Sequence, residues 1–151
     1  MKKLTIEEKC YVAGFLDGNG SIFAEIIPDN NYEYNFRIRV YISFYVHKSK
    51  HWFMLKLKKL LRYGILKIKN NNVSELIIAG TGPVEIILLQ LNNHLILKKP
   101  NASLILEIIK KKRNINSKEK FIEVCKLVDK IALLNSSKNQ LITSETVKKS
   151  L

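Results

Sequence analysis

Residues 36–45, Phe-Arg-Ile-Arg-Val-Tyr-Ile-Ser-Phe-Tyr, constrain the fold more than any other stretch of the chain. Phe36, Ile38, Val40, Ile42 and Phe44 alternate without a break with Arg37, Arg39, Tyr41, Ser43 and Tyr45. Successive side chains of an extended strand point to opposite faces, so this segment must bury one apolar face and present a row of hydrogen-bonding groups on the other. A sheet built around such a strand is open on one side, a habit of antiparallel sheets. At 151 residues the chain is the length of one domain, with enough apolar residues (46%) for a core and too many for a disordered or collagen-like class.

Charge narrows the partner. Lys and Arg number 26 against 13 Asp and Glu, a formal net charge of +13. Residues 1–100 hold 15 basic and 8 acidic side chains and residues 101–151 hold 11 and 5, so the excess belongs to the folded body and not to a tail. Self-repulsion on that scale makes physical sense against a polyanion. Cys10 and Cys125 fall in helical patterns without CxxC spacing, and two buried free thiols are expected, with no disulfide framework and no zinc finger. The N-terminus lacks a secretory apolar stretch and no apolar run can span a bilayer, so a soluble chain with no membrane partner is expected.

Along the chain, Thr5-Ile6-Glu7-Glu8 matches a capping box and predicts a helix that runs through Leu16 and stops within Asp17-Gly18-Asn19-Gly20. Residues 21–27 read as a strand closed by Pro28-Asp29-Asn30-Asn31, residues 52–61 as a helix, and residues 65–69 and 73–79 as a second hairpin around Asn70-Asn71-Asn72. Gly82-Pro83 opens a helix to Leu91, with Pro at its first position, and Lys98-Lys99-Pro100 forms a basic connector. A helix follows from Asn101 to Arg113, whose Lys110-Lys111-Lys112-Arg113 run either complements the helix dipole or meets phosphate. Ser117 caps a longer helix through Leu134, and a last short helix follows Thr143 or Ser144. The class is α+β.

Residues 12–20, Val-Ala-Gly-Phe-Leu-Asp-Gly-Asn-Gly, closely resemble the LAGLIDADG motif of homing endonucleases, with Asn19 where the family carries aspartate. Pro28, Tyr32, Trp52-Phe53, Lys98, residues 121–125, Asn135, Ser137-Lys138 and residues 143–147 are similar to the short, single-motif branch of that family. The resemblance covers nearly the whole chain. It implies an αββαββα fold with additional C-terminal helices, one endonuclease domain over 1–151, and an antiparallel sheet that forms a DNA-binding saddle. The implied activity is intron-encoded hydrolysis of both strands of a long pseudo-palindromic duplex. Ala13 and Gly14 are small and one turn from Asp17, so two such helices can pack closely, and a chain with one motif needs a second copy. Tyr11, Ala13, Gly14 and Asp17 are the expected interface of a homodimer.

The same resemblance assigns the chemistry. Mg²⁺ prefers carboxylate and carbonyl oxygens, and the family positions matching Asn19 and Gly18 supply them. Asn19 has the shape of aspartate without its charge, so weakened metal occupancy is expected, in a chain that binds its target and cleaves it slowly or not at all. Asp17 is either a ligand or a structural group bonding amides at the helix end, and the match of the metal position to Asn19 favours structure. Lys98 matches a family lysine that balances phosphate charge, and Lys50 falls where an arginine is usual. Val46 stands where a water-positioning glutamine is usual, which leaves His47 or Lys48 as substitutes, or His47 as a solvated strand-end residue. Arg37, Arg39, Tyr41 and Ser43 have the chemistry to read base edges in the major groove. Asp29, Asn31 and Tyr32 extend that row, and Glu25, Ile27, Lys67, Lys69, Glu75 and Ile77 occupy matching family positions. Lys48, Lys98, Lys99, Ser137 and Lys138 are expected on phosphates. Other readings are an intron RNA maturase and a non-catalytic sequence-specific DNA-binding protein. The 22 Lys, 20 Ile and 14 Asn suggest AT-rich coding DNA, as in a chloroplast or mitochondrion.

Overall fold

The computed structural model describes residues 3–136 and 140–151. Helix α1 (Ile6–Asn19) starts at the predicted capping box: Thr5 accepts from the Glu8 N–H, and the Glu8 side chain accepts from the Thr5 N–H. Strand β1 (Gly20–Pro28) follows with no loop between. Gly20 makes that junction possible, because a Cβ there would lie 2.5 Å from the Leu16 side chain and 2.6 Å from the Ser43 carbonyl. The chain returns through a turn in which Asn35 holds a φ of 64° and enters β2 (Phe36–His47). A short 3-10 turn at Lys48–Lys50 leads into α2 (His51–Leu61), then β3 (Ile65–Ile68) and β4 (Val73–Ala79). Helices α3 (Thr81–Leu91), α4 (Lys99–Lys112), α5 (Lys118–Leu134) and α6 (Ser144–Ser150) complete the described chain.

The sheet is antiparallel throughout, in the order β1-β2-β4-β3. At 12 residues β2 is long enough to serve two partners, pairing with β1 from Phe36 to Phe44 and with β4 from Tyr41 to His47. Its Ile38, Val40, Ile42 and Phe44 join Leu16, Met54, Leu61, Leu88, Ile105 and Val128 in one core between the sheet and its helices. The outer edge of β1 is covered. Asn135 Nδ2 donates to the Ile22 carbonyl at 3.0 Å and itself accepts from Asn101 Nδ2 at 2.7 Å, which ties α4 to the end of α5 across the edge strand.

Four expectations are corrected. Helix α3 begins at Thr81, so Pro83 sits in its first turn and not at its first position. Lys99 and Pro100 belong to α4 and are not a connector, since proline loses nothing where the helix needs no N–H donor. The outer face of β2 is not evenly open: Tyr41 (8% exposed) and Ser43 (2%) are buried because β2 is central and flanked on both sides. Cys10 is exposed on α1, whereas Cys125 is buried as expected. No helix among the described residues is long and apolar enough to cross a membrane.

Candidate nucleic-acid interface

The end of α1 is built around Asp17. Its carboxylate accepts from the backbone N–H groups of Ile96, Leu97 and Lys98 at 2.8, 3.1 and 2.9 Å, and the Lys98 ammonium donates to the Asp17 carbonyl at 2.7 Å. Burial works against the Asp17 charge, but the three amides and the Lys98 cation outweigh it and hold the carboxyl below its ordinary value. The Asp17 carboxylate is thus turned towards the chain that enters α4 and bonds amides at the helix end. The same bonds deliver Lys98 to the last turn of α1, beside Gly18 and Asn19, where a cation meets the free carbonyl end of a helix. Nothing in the spacing of Asp17 and Lys98 announces this pairing; only the fold brings them together.

Asn19 closes the helix in an exposed position, and its Nδ2 donates to the Tyr45 carbonyl at 3.2 Å. The donors at this corner are thus the Gly18 carbonyl and the Asn19 amide oxygen, both neutral. Among the described residues no group of three or more His, Cys, Asp or Glu converges anywhere. The Asp17 carboxylate is committed to its three amides. Mg²⁺ is usually held through one or two carboxylates together with waters and substrate phosphates, so the protein oxygens that one chain offers here lack the usual anionic member of that set. Lys50 lies exposed in the 3-10 turn that leads into α2, next to exposed Lys48. His47 caps that turn, its Nδ1 accepting from the Ser49 N–H at 3.1 Å.

The outward stripe of α1 is smooth. Tyr11 is 62% exposed, Gly14 and Gly18 are exposed, and a Cβ built on either glycine meets nothing within 4 Å. Ala13 is fully buried in the core, so it supports this face from beneath and does not lie on it.

On the sheet, the expected reading residues form a chain of bonded pairs. Arg37 Nε lies 3.5 Å from Asp29, and its guanidinium sits 5.9 Å from the Tyr32 ring. The Arg39 guanidinium lies over the Tyr41 ring at 4.9 Å, and Tyr41 donates its hydroxyl proton to Glu25. Burial, with help from Glu25, pushes the Tyr41 phenol up to about 12, so it stays a donor. Ser43 donates to Glu75 at 3.0 Å, and Lys69 Nζ lies 3.5 Å from the same carboxylate. Asn31, Tyr32 and Lys67 are exposed, and Ile27 and Ile77 are half-buried on the same face. Lys99 is exposed on the first turn of α4, while Ser137 and Lys138 lie outside the described residues. Sequence reasoning missed Phe23, which stacks on Tyr41 at 4.7 Å; its alternation with Ile22 and Ala24 was too apolar to mark which face it takes.

A helix with a glycine stripe on its outward face, running without a loop into the edge of an open, polar-faced antiparallel sheet, defines a class, and the chain belongs to the LAGLIDADG endonuclease family, whose model matches residues 12–106. Within it, the chain is 37% identical over 139 residues to DNA endonuclease I-CreI of Chlamydomonas reinhardtii, covering 91% of this chain and 85% of that protein. It is 31% identical to DNA endonuclease I-CvuI of Chlorella vulgaris, covering 93% and 88%. The crystal structure of I-CvuI with the I-CreI target, solved in 2 mM Mg with its DNA not cleaved, superposes with a TM-score of 0.90 at 30% identity, over 96% of this chain and 92% of that one. The archaeal intron-encoded homing endonuclease I-Vdi141I, at 16% identity, shares the fold with a TM-score of 0.82. The expected fold is therefore the observed one.

Proposed function

We propose that the chain is a single-domain homing endonuclease scaffold that pairs through α1 and binds a long pseudo-palindromic duplex across two sheets, with phosphodiester cleavage lost or strongly impaired. The smooth stripe of Tyr11, Gly14 and Gly18 is what a second copy packs against, related by a twofold axis. Each sheet then offers Arg37, Arg39, Lys67 and Lys69 to the major groove, where bidentate contacts discriminate between bases by about 1–3 kcal/mol each. Lys48, Lys50, Lys98 and Lys99 balance phosphate charge near the middle of the site. The excess of Lys, Ile and Asn and the identities to I-CreI and I-CvuI support an organellar gene.

The observation that carries the loss of cleavage is Asn19. The family position holds aspartate, and here a neutral amide spends its donor on the Tyr45 carbonyl. Among the described residues no other carboxylate at that corner replaces the missing charge, since Asp17 is held by three amides. The test selects bound duplexes from a random library, then compares the natural protein with Asn19→Asp in Mg²⁺. Equal binding by both forms is expected, with cleavage at least about a thousandfold faster in the aspartate form. Fast cleavage by the natural protein overturns the reading.

A further inference from the structure

The side of the molecule away from the sheet's open face carries a second, different basic surface. Helix α2 turns Met54, Leu57 and Leu61 into the core and leaves Trp52, Leu55, Lys56, Lys59 and, at its end, Arg62 outside. Those positions recur at three- and four-residue steps, so they form one stripe along the helix. From Lys48 to Arg62 the chain has six cations and no acid. Lys56 and Lys59 at the stripe, Arg62 at its end and Lys3 from the N-terminal segment line a cleft of about 310 Å³ against the start of α1. The single acid in that cleft, Glu8, is occupied by the Thr5 N–H. Among the described residues none of these four cations forms an ion pair, in contrast to Arg37 and Lys69 on the sheet. Trp52 is 57% exposed, with the Lys56 ammonium over its ring at 5.4 Å.

An exposed indole beside free cations has a specific use. A duplex hides the faces of its bases, whereas a single strand stacks them on an aromatic ring while cations follow its phosphates. The cleft is also too small for a duplex. We propose that the outer face of α2, with Trp52 as stacking platform and Lys3, Lys56, Lys59 and Arg62 as phosphate contacts, binds single-stranded nucleic acid independently of the duplex saddle. RNA and single-stranded DNA share the required chemistry, and the 2′-hydroxyl distinguishes them.

Trp52 is the chain's one tryptophan, so its fluorescence reports this site alone. The experiment titrates the full-length protein with a twelve-nucleotide RNA, the DNA strand of the same sequence, and a duplex of that sequence. Expected is quenching of Trp52 by one or both single strands and none by the duplex; tighter RNA binding identifies RNA as the partner, and equal binding identifies any single strand. Lys56→Glu/Lys59→Glu should weaken single-strand binding at least about tenfold, and Trp52→Ala about fivefold or more, with duplex affinity changed less than twofold. Arg37→Glu/Arg39→Glu should do the reverse. The proposal falls if the single strands leave Trp52 fluorescence unchanged, or if their affinity follows the sheet substitutions and not those on α2. Failure of duplex binding with intact single-strand binding would count against the saddle reading alone.

Discussion

The end of α1 and the open face of the sheet both hold polar groups where a nucleic acid would lie, yet they spend those groups differently. At the helix end, Asp17 makes three bonds to backbone amides, and Lys98 is anchored through its own backbone N–H and its ammonium. These bonds join segments some eighty residues apart and fix where the motif ends. On the sheet, Arg37–Asp29 and Lys69–Glu75 are 3.5 Å pairs between partly exposed side chains. Such pairs contribute at most about 1 kcal/mol each and exchange readily. The helix end is thus built for position, and the sheet for substitution of one partner by another: a base edge or phosphate can take the place of a carboxylate without disturbing the fold.

Breaking the anchor should produce the largest effect. Asp17→Ala leaves the Ile96, Leu97 and Lys98 amides without their acceptor, and each unsatisfied donor costs about 1–3 kcal/mol where water cannot reach it. Ile96 (86% exposed) and Leu97 (72%) can turn their amides to water, so urea unfolding is expected to show a loss of about 2 kcal/mol. Glu75→Gln on the sheet should cost under about 1 kcal/mol. Equal losses for the two substitutions would erase the distinction between anchor and exchangeable pair.

Acid sharpens the same contrast. Asp17 is held below its ordinary value, so the native state binds its proton less readily than the unfolded chain does. Its stabilisation is complete above the ordinary carboxylate range and is lost as pH falls below about 4. Unfolding free energy measured between pH 6 and 2 should therefore drop more steeply in the natural protein than in Asp17→Asn, whose side chain does not titrate. Parallel acid limbs would show that the amides do not favour the charged form.

Much of this architecture was legible in the residues. The capping box at Thr5–Glu8, the alternation of β2 and the caps at Ser117 and Thr143 are local signals, and each marks an element observed in the fold. What stayed hidden depends on contacts between distant segments. Tyr41 and Ser43 alternate like open-face residues, and only the central place of β2 buries them. Ala13 and Gly14 are both small and adjacent in sequence, but helical geometry sends the first into the core and the second outward. Cys10 resembles a core thiol by composition alone, yet it sits on the exposed side of α1, 3.5 Å from His94 Nδ1. Asn19 was the informative exception: a single substitution in a recognised motif points to chemistry that no periodicity encodes.

The smallest expected effect lies in the sheet's own pairs. Glu75 sits between Ser43 and Lys69, so its carboxylate partly cancels a cation that the duplex would otherwise use. Glu75→Gln removes that competition while its amide oxygen still accepts from Ser43. Duplex affinity at low salt should rise by a few-fold. The log-log salt dependence should stay the same, because the freed Lys69 faces a base edge and adds no phosphate contact, while the preferred base at that position shifts. Fluorescence anisotropy at several salt concentrations, with the base pair at that position varied, measures affinity, salt dependence and preference. A slope steeper by about 0.9, the contribution of one additional neutralised phosphate, would mean that Lys69 follows the backbone, and that the pair, although exposed enough to exchange, positions the duplex without reading its sequence.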